Sequence, residues 1–150
     1  MKRIIFICHG NICRSPAAEF IAKDYLKRIG KEKDYDIISL ATSLEEIGND
    51  IYPPMKDELI RRNIPFSHRQ ARRITQNDYD NADYIFYMDS NNLNYLNRLI
   101  NDYKHIIHPI NKWTPSISYI EDPWYTDRYE KVCTQIEECI LDIFKNIWLT

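Results

Sequence analysis

Cys8 and Arg14 are separated by five residues, His9-Gly10-Asn11-Ile12-Cys13, and Ser15 follows directly. A thiol and a guanidinium at the two ends of one short turn suit a single chemistry if that turn leads from a strand into a helix N-terminus. Such a turn aims backbone N–H groups at an anion, and the helix dipole favours negative charge there. The same field favours thiolate over thiol at Cys8. Arg14 presents a planar fork that can grip two phosphate oxygens, which a lysine could not do. An activated sulfur on the floor of a phosphate cradle points to attack on phosphorus. Far along the chain, Asp122-Pro123-Trp124-Tyr125 places a carboxyl beside two aromatic rings. That carboxyl can protonate a leaving group and later take a proton from water. A helix-cap or turn role competes with this, because Asp-Pro is a common turn pair.

These residues need elements to position them. Ile4-Ile5-Phe6-Ile7 reads as a buried strand, Arg3 to Cys8. A helix is expected from about Pro16 to Ile29, with Ala18, Ile21, Tyr25 and Ile29 on one face and Gly30 as its stop. A second strand reads from Asp36 to Ala41, followed by a breaker-rich loop, Thr42 to Pro54, and a short helix, Met55 to Arg62. Asp83 to Met88 is a third strand, Asn91 to Ile100 a helix, and Ile106-Ile107 a short fourth strand. An irregular loop runs from Pro109 to Pro123. The last helix, about Asp127 to Ile147, carries the stripe Tyr129, Val132, Cys133, Ile136, Ile140, Ile143, Phe144 and Ile147, with Cys139 at its edge. Alternating strands and helices imply an α/β three-layer sandwich: a small, about four-stranded parallel sheet, Rossmann-like, with helices on both faces. Residues 1–150 read as one domain. Ligands in such sheets bind beyond the strand C-termini, where Cys8 sits.

Cys-x5-Arg-Ser near the N-terminus, together with Asp122-Pro123-Trp124-Tyr125, resembles the low-molecular-weight protein tyrosine phosphatases. The strand and helix pattern between the two motifs extends the resemblance over nearly the whole chain. It implies hydrolysis of phosphotyrosine or other aryl phosphate monoesters through a cysteinyl phosphate, with Cys8, Arg14 and Asp122 catalytic. His9, Gly10, Asn11, Ile12, Cys13 and Ser15 would form the phosphate-binding loop, and inorganic phosphate would be the product. Ser15 is expected to hydrogen-bond the thiolate, to cap the helix, or both. Asn11 is expected to hold the loop in a tight or left-handed conformation. The family supports this Asn with a serine on the second strand, matched by Ser39, and a histidine further on, matched only roughly by His68. Where the family often shows His-x-Ala-Arg, His68 here is followed by Arg69-Gln70-Ala71-Arg72. The resemblance gives Cys13 the role of trapping an oxidised nucleophile as a disulfide, with a purely structural role as the alternative. Glu45, where many relatives carry Trp, would form the pocket rim with Trp124 and Tyr125. Leu44 and Glu46 beside it face the mouth or belong to a solvated loop.

Other classes fit less well. Arsenate reductases of the same fold pass electrons through two cysteines after the third strand, but Met88-Asp89-Ser90-Asn91-Asn92 has none. Arginine phosphatases of the family carry Thr at the place of Ile12. A non-catalytic phosphate-binding module would not need all three reactive residues, and a nucleotide P-loop would need Gly-Lys-Ser/Thr. A net charge of -2 leaves no footprint for nucleic acid. The N-terminal apolar run is too short for a signal peptide, and no segment reaches membrane-spanning length. A cytoplasmic protein with four reduced cysteines is therefore expected. No metal or other cofactor is expected, because no His/Cys group has zinc spacing and His105 and His108 read as structural or solvated.

Overall fold

The computed structural model of the chain describes residues 1–147. Positions 148–150 of the expected domain span lie outside the described residues. Four strands, β1 (Lys2–Cys8), β2 (Tyr35–Ala41), β3 (Tyr84–Tyr87) and β4 (Ile107–Pro109), form one parallel sheet in the order β2-β1-β3-β4. The order reverses direction at β1, so the switch point lies beside the C-terminal end of that strand, where Cys8 ends it.

The continuous apolar run of β1 follows from burial on both faces. Ile4 and Phe6 point into a core shared with α1 (Arg14–Arg28), α2 (Pro53–Arg61) and α6 (Tyr129–Ile147). Ile5 and Ile7 point the other way, toward α3 (Gln76–Asp80) and α4 (Ser90–Leu99). A strand covered on both faces cannot alternate apolar with polar residues. The expected three-layer sandwich is the observed architecture.

Several details differ from the sequence reading. Helix α1 begins at Arg14, two residues before Pro16, so Arg14 and Ser15 lie in its first turn. Ile29 is the C-cap residue and 38% exposed, off the buried face, because α1 has ended before it. Cys139 is fully buried rather than at the edge of the α6 stripe. Two short helices carry no readable period. In α3, Thr75 and Asp78 form a reciprocal capping box. In α5 (Pro123–Thr126), Asp122 is the N-cap and Pro123 opens the helix.

Candidate active site

The residues between β1 and α1 form a cradle whose carbonyls turn outward. Those of Cys8, His9 and Ile12 accept from the N–H groups of Thr42, Ser43 and Tyr52 at 3.1, 3.1 and 2.9 Å, and that of Cys13 accepts from Ala17 within α1. The Asn11 carbonyl accepts from Arg69 Nη2 at 2.6 Å. In a planar trans peptide the N–H points opposite to the C=O. Outward carbonyls therefore turn the N–H groups that follow them toward the cavity, which makes an anion-binding nest. Asn11 is the residue that lets the chain close this curve, with φ of 60°. Asn tolerates the left-handed region better than a β-branched residue would.

Buried polar side chains brace the cradle from below. Asn11 Nδ2 donates to Ser15 Oγ at 2.8 Å and to Ser39 Oγ at 3.0 Å. The Ser39 hydroxyl in turn donates a hydrogen bond to Glu19 Oε1 at 2.7 Å. Because Ser15 Oγ already accepts from Asn11, its proton is free to point at Cys8 Sγ, 3.1 Å away. The Ser15 N–H approaches the same sulfur at 3.4 Å. Of the two roles expected of Ser15, the contact to sulfur is present. The capping role is not, since the N-cap position belongs to Cys13, which makes no side-chain cap bond.

Arg14 is 2% exposed and held from behind. Its Nη1 donates to Asp89 Oδ2 at 2.6 Å and to the Ile120 carbonyl at 2.8 Å. Its Nη2 lies 3.6 Å from Asp122 Oδ2. Burial opposes its charge, but Cys8, Asp89 and Asp122 outweigh that, so Arg14 is held protonated above its ordinary value. Asp122 Oδ1 accepts the Trp124 N–H at 3.0 Å. Asp122 thus caps α5 and faces the guanidinium at once.

The family model of low molecular weight phosphotyrosine protein phosphatases matches residues 3–148. The chain is 37% identical over 144 residues to the low molecular weight phosphotyrosine protein phosphatase of Homo sapiens, covering 92% of this chain and 90% of that one. It is 33% identical over 140 residues to the low molecular weight protein-tyrosine-phosphatase YfkJ of Bacillus subtilis, covering 91% and 90%. The crystal structure of YfkJ superposes with a TM-score of 0.94, covering 99% of this chain and 95% of that one. The chain belongs to the low-molecular-weight phosphotyrosine protein phosphatase family. Members of this family are phosphoric monoester hydrolases.

The cavity of this phosphatase is lined by Cys8, His9, Gly10, Ile12, Cys13 and Arg14 from the cradle, by Glu45 and Glu46, and by Asp122, Trp124 and Tyr125. It therefore gathers nearly all the residues singled out from the sequence. Asn11 and Ser15 are fully buried beneath it. Trp124 packs against Tyr52 in a tilted arrangement, with ring centroids 4.8 Å apart and planes at 52°, while Tyr125 is 84% exposed. Glu45 Oε2 pairs with His9 Nε2 at 3.0 Å, and the His9 ring lies 5.6 Å from that of Tyr95. Glu46 accepts from Asn49 Nδ2 at 2.6 Å. A Cβ on Gly10 would meet Glu46 Cγ at 3.3 Å, so the absence of a side chain there lets the rim lie close over the cradle. Leu44 is exposed and does not line the cavity.

Four residues of the machinery were not singled out from the sequence. Asp89, Glu19 and Tyr52 become partners of Arg14, Ser39 and Trp124 only through the fold. The fourth is Arg69. His68, the rough match for the family's supporting histidine, is exposed and bonds Asp50 Oδ2 at 3.1 Å instead of Asn11. The spacing held the clue: Arg69-Gln70-Ala71-Arg72 keeps the family's x-Ala-Arg register, with Arg in the histidine's place. The remaining thiols are held protonated. Cys13 is pushed far up by burial and by the nearby Cys8 and Asp122 charges, although Arg14 opposes this. Burial raises Cys133 to about 12 and Cys139 to about 11. Both lie in the core on α6, out of place for a reductase relay.

Proposed function

We propose that this phosphatase hydrolyses phosphotyrosine in proteins, and aryl phosphate monoesters generally, through a cysteinyl-phosphate intermediate. The observation that carries the reading is the meeting of Cys8, the buried Arg14 fork and the Asp122 carboxyl at one cavity. The phosphate dianion sits in the nest of N–H groups with two oxygens on Arg14. The Cys8 thiolate attacks phosphorus in line, forming the S–P bond as the P–O bond to the phenol breaks. The Asp122 carboxyl gives its proton to the departing phenolate oxygen. Asp122, now a carboxylate, then takes a proton from a water that attacks phosphorus. The S–P bond breaks, the thiolate returns, and inorganic phosphate leaves. Positioning and electrostatics carry most of the acceleration in such phosphoryl transfer. Trp124 and Tyr125 offer flat faces to the aryl group. Ile12 leaves an apolar wall in the cavity, which suits an aryl ester over a guanidinium phosphate. A cytoplasmic setting belongs to the same proposal, because a reducing compartment keeps Cys8 a thiol.

The test is a set of variants on two substrates. Cys8→Ser should abolish turnover yet keep phosphate binding, and Arg14→Lys should be severely impaired. Asp122→Ala should slow phosphotyrosine hydrolysis by about a hundredfold or more. The first step on an ester with a very acidic leaving group should suffer much less. Equal loss of first-step rate on both substrates would remove Asp122 from the acid role, and substantial activity in Cys8→Ser would remove the mechanism.

A further inference from the structure

We infer that Arg69 is the positioning residue of the phosphate cradle: its guanidinium clamps Asn11 in the left-handed conformation that turns the loop's N–H groups onto the substrate. This rests on the cradle binding phosphate as proposed above. One terminal nitrogen, Nη2, donates both to the Asn11 carbonyl at 2.6 Å and to Asn11 Oδ1. The other, Nη1, donates to the Asn49 carbonyl at 3.2 Å. Among the outward-turned carbonyls of the cradle, those of Cys8 and Ile12 are claimed by main-chain N–H groups alone. That of His9 is claimed by the Ser43 N–H and hydroxyl. Only that of Asn11 is claimed by a charged side chain. It is also the carbonyl at the strained residue, where φ is 60°. A carbonyl released there would be free to turn inward against the bound dianion.

The donor itself is well fixed. Residues 69–71 pair with the loop after β2, through Gly48 N–H to the Ala71 carbonyl at 2.9 Å and Ala71 N–H to the Asn49 carbonyl at 2.7 Å. The Arg69 N–H meets Asp50 Oδ1 at 3.3 Å. Arg72 N–H reaches Asn11 Oδ1 at 3.4 Å, so two donors of this segment converge on one amide oxygen. That convergence orients the Asn11 amide, leaving its Nδ2 to serve Ser15 and Ser39. Arg69 therefore acts on Cys8 at third hand, through Asn11 and Ser15, and touches neither substrate nor sulfur. It also places a permanent positive charge behind the cradle. His68, one residue earlier, is left on Asp50 and outside this network.

The experiment compares Arg69→Met and Arg69→Lys with the unmodified protein. The readouts are kcat and KM on p-nitrophenyl phosphate, inhibition by inorganic phosphate, and thermal unfolding. A charged hydrogen bond is worth about tenfold or more in an equilibrium. The phosphate inhibition constant and KM of Arg69→Met should rise by at least about that factor, more than kcat falls. Guanidinium ion, well below denaturing concentrations, should restore part of the phosphate affinity to Arg69→Met and none to the unmodified protein. Arg69→Lys, which can still donate twice, should fall between the two. A phosphate affinity in folded Arg69→Met within about twofold of the unmodified protein would overturn the inference. So would losses in both variants that follow the fall in melting temperature and ignore added guanidinium. Should Arg69→Met fail to fold, Arg69→Lys decides alone by the same criteria. If the unmodified protein neither binds phosphate nor turns over the ester, the phosphatase reading has failed, independently of Arg69.

Discussion

Asp89 is a residue whose importance comes entirely from the fold, and its replacement can be predicted in some detail. Its two oxygens have separate duties. Oδ2 receives Arg14 Nη1 at 2.6 Å, and Oδ1 accepts the Asn92 N–H at 2.9 Å as the N-cap of α4. Arg14 is 2% exposed and Asp89 19%. Breaking a fully buried ion pair costs about 3–5 kcal/mol, and losing a hydrogen bond to a charged group costs about 1.5–3 kcal/mol. Arg14 keeps the Ile120 carbonyl and faces Asp122, and Asp89 is partly wet, so the lower range applies. Asp89→Asn, which preserves the cap, should therefore lose about 2 kcal/mol. Asp89→Ala also loses the cap and should lose about 3 kcal/mol in all. For a chain of this length that is about 4–8 °C and about 6–12 °C in melting temperature. An Arg14 free to swing should lower kcat/KM on a small aryl phosphate by about ten- to a hundredfold in both variants. Thermal unfolding followed by circular dichroism, alongside steady-state kinetics, measures both effects. Equal melting temperatures for Asp89→Asn and the unmodified protein, with kcat/KM unchanged, would show that Asp89 does not hold Arg14.

Three further outcomes are expected. Mild peroxide should inactivate the enzyme reversibly by joining Cys8 to Cys13, seen as linked peptides after non-reducing digestion; irreversible oxidation of Cys8 with Cys13 free would rule out the protective role. Glu45 and Glu46 at the mouth should favour peptides with Lys or Arg beside the phosphotyrosine by about 1 kcal/mol or less. Glu45→Gln with Glu46→Gln should erase that preference and spare a small aryl phosphate, and an unaltered preference would assign selectivity to the Trp124–Tyr125 side. Burial raises the carboxyls of Asp50 and Asp78, but bonds from Lys56 to the first and from Arg72 and Thr75 to the second hold both below their ordinary value. Their folded values are depressed, so their contribution is present above about pH 4 and lost as pH falls further. Urea unfolding of Asp50→Asn with Asp78→Asn should show a flatter acid limb below that point; an unchanged limb would place the acid sensitivity elsewhere.

The chemistry of this protein was legible because it is local. Cys8, Arg14 and the residues between them lie on one turn, and five intervening residues are enough to close a nest only when a strand precedes and a helix follows. The run Ile4 to Ile7 announced the strand, since a short run rich in β-branched residues and apolar at every position suits a strand covered on both faces. The α6 stripe announced the helix that covers one face. Asp122 read as an acid only in company with Cys8, because Asp-Pro alone is a turn, and the fold sets it as the cap of α5 beside Arg14.

What the tertiary structure decided is partnership across long stretches of chain. Arg14 and Asp89 are 75 residues apart, and Arg69 and Asn11 are 58 apart. No period or motif links such pairs. They meet because the strand order β2-β1-β3-β4 brings the C-terminal ends of β1 and β3 side by side, and because residues 72–74 lie along the end of β2. The exchange of the supporting role from histidine to arginine shows the same division. A one-residue offset in the sequence left His68 as only a rough match for the supporting histidine. The backbone pairing of Ala71 with Gly48 and Asn49 sets the register, and that register aims Arg69 at Asn11 while His68 turns to Asp50. Residue types and short spacings determine which reaction is possible. The sheet order and the register of its flanking loops determine which side chains hold the reacting groups still, because hydrogen bonds demand fixed distances that only packing can impose.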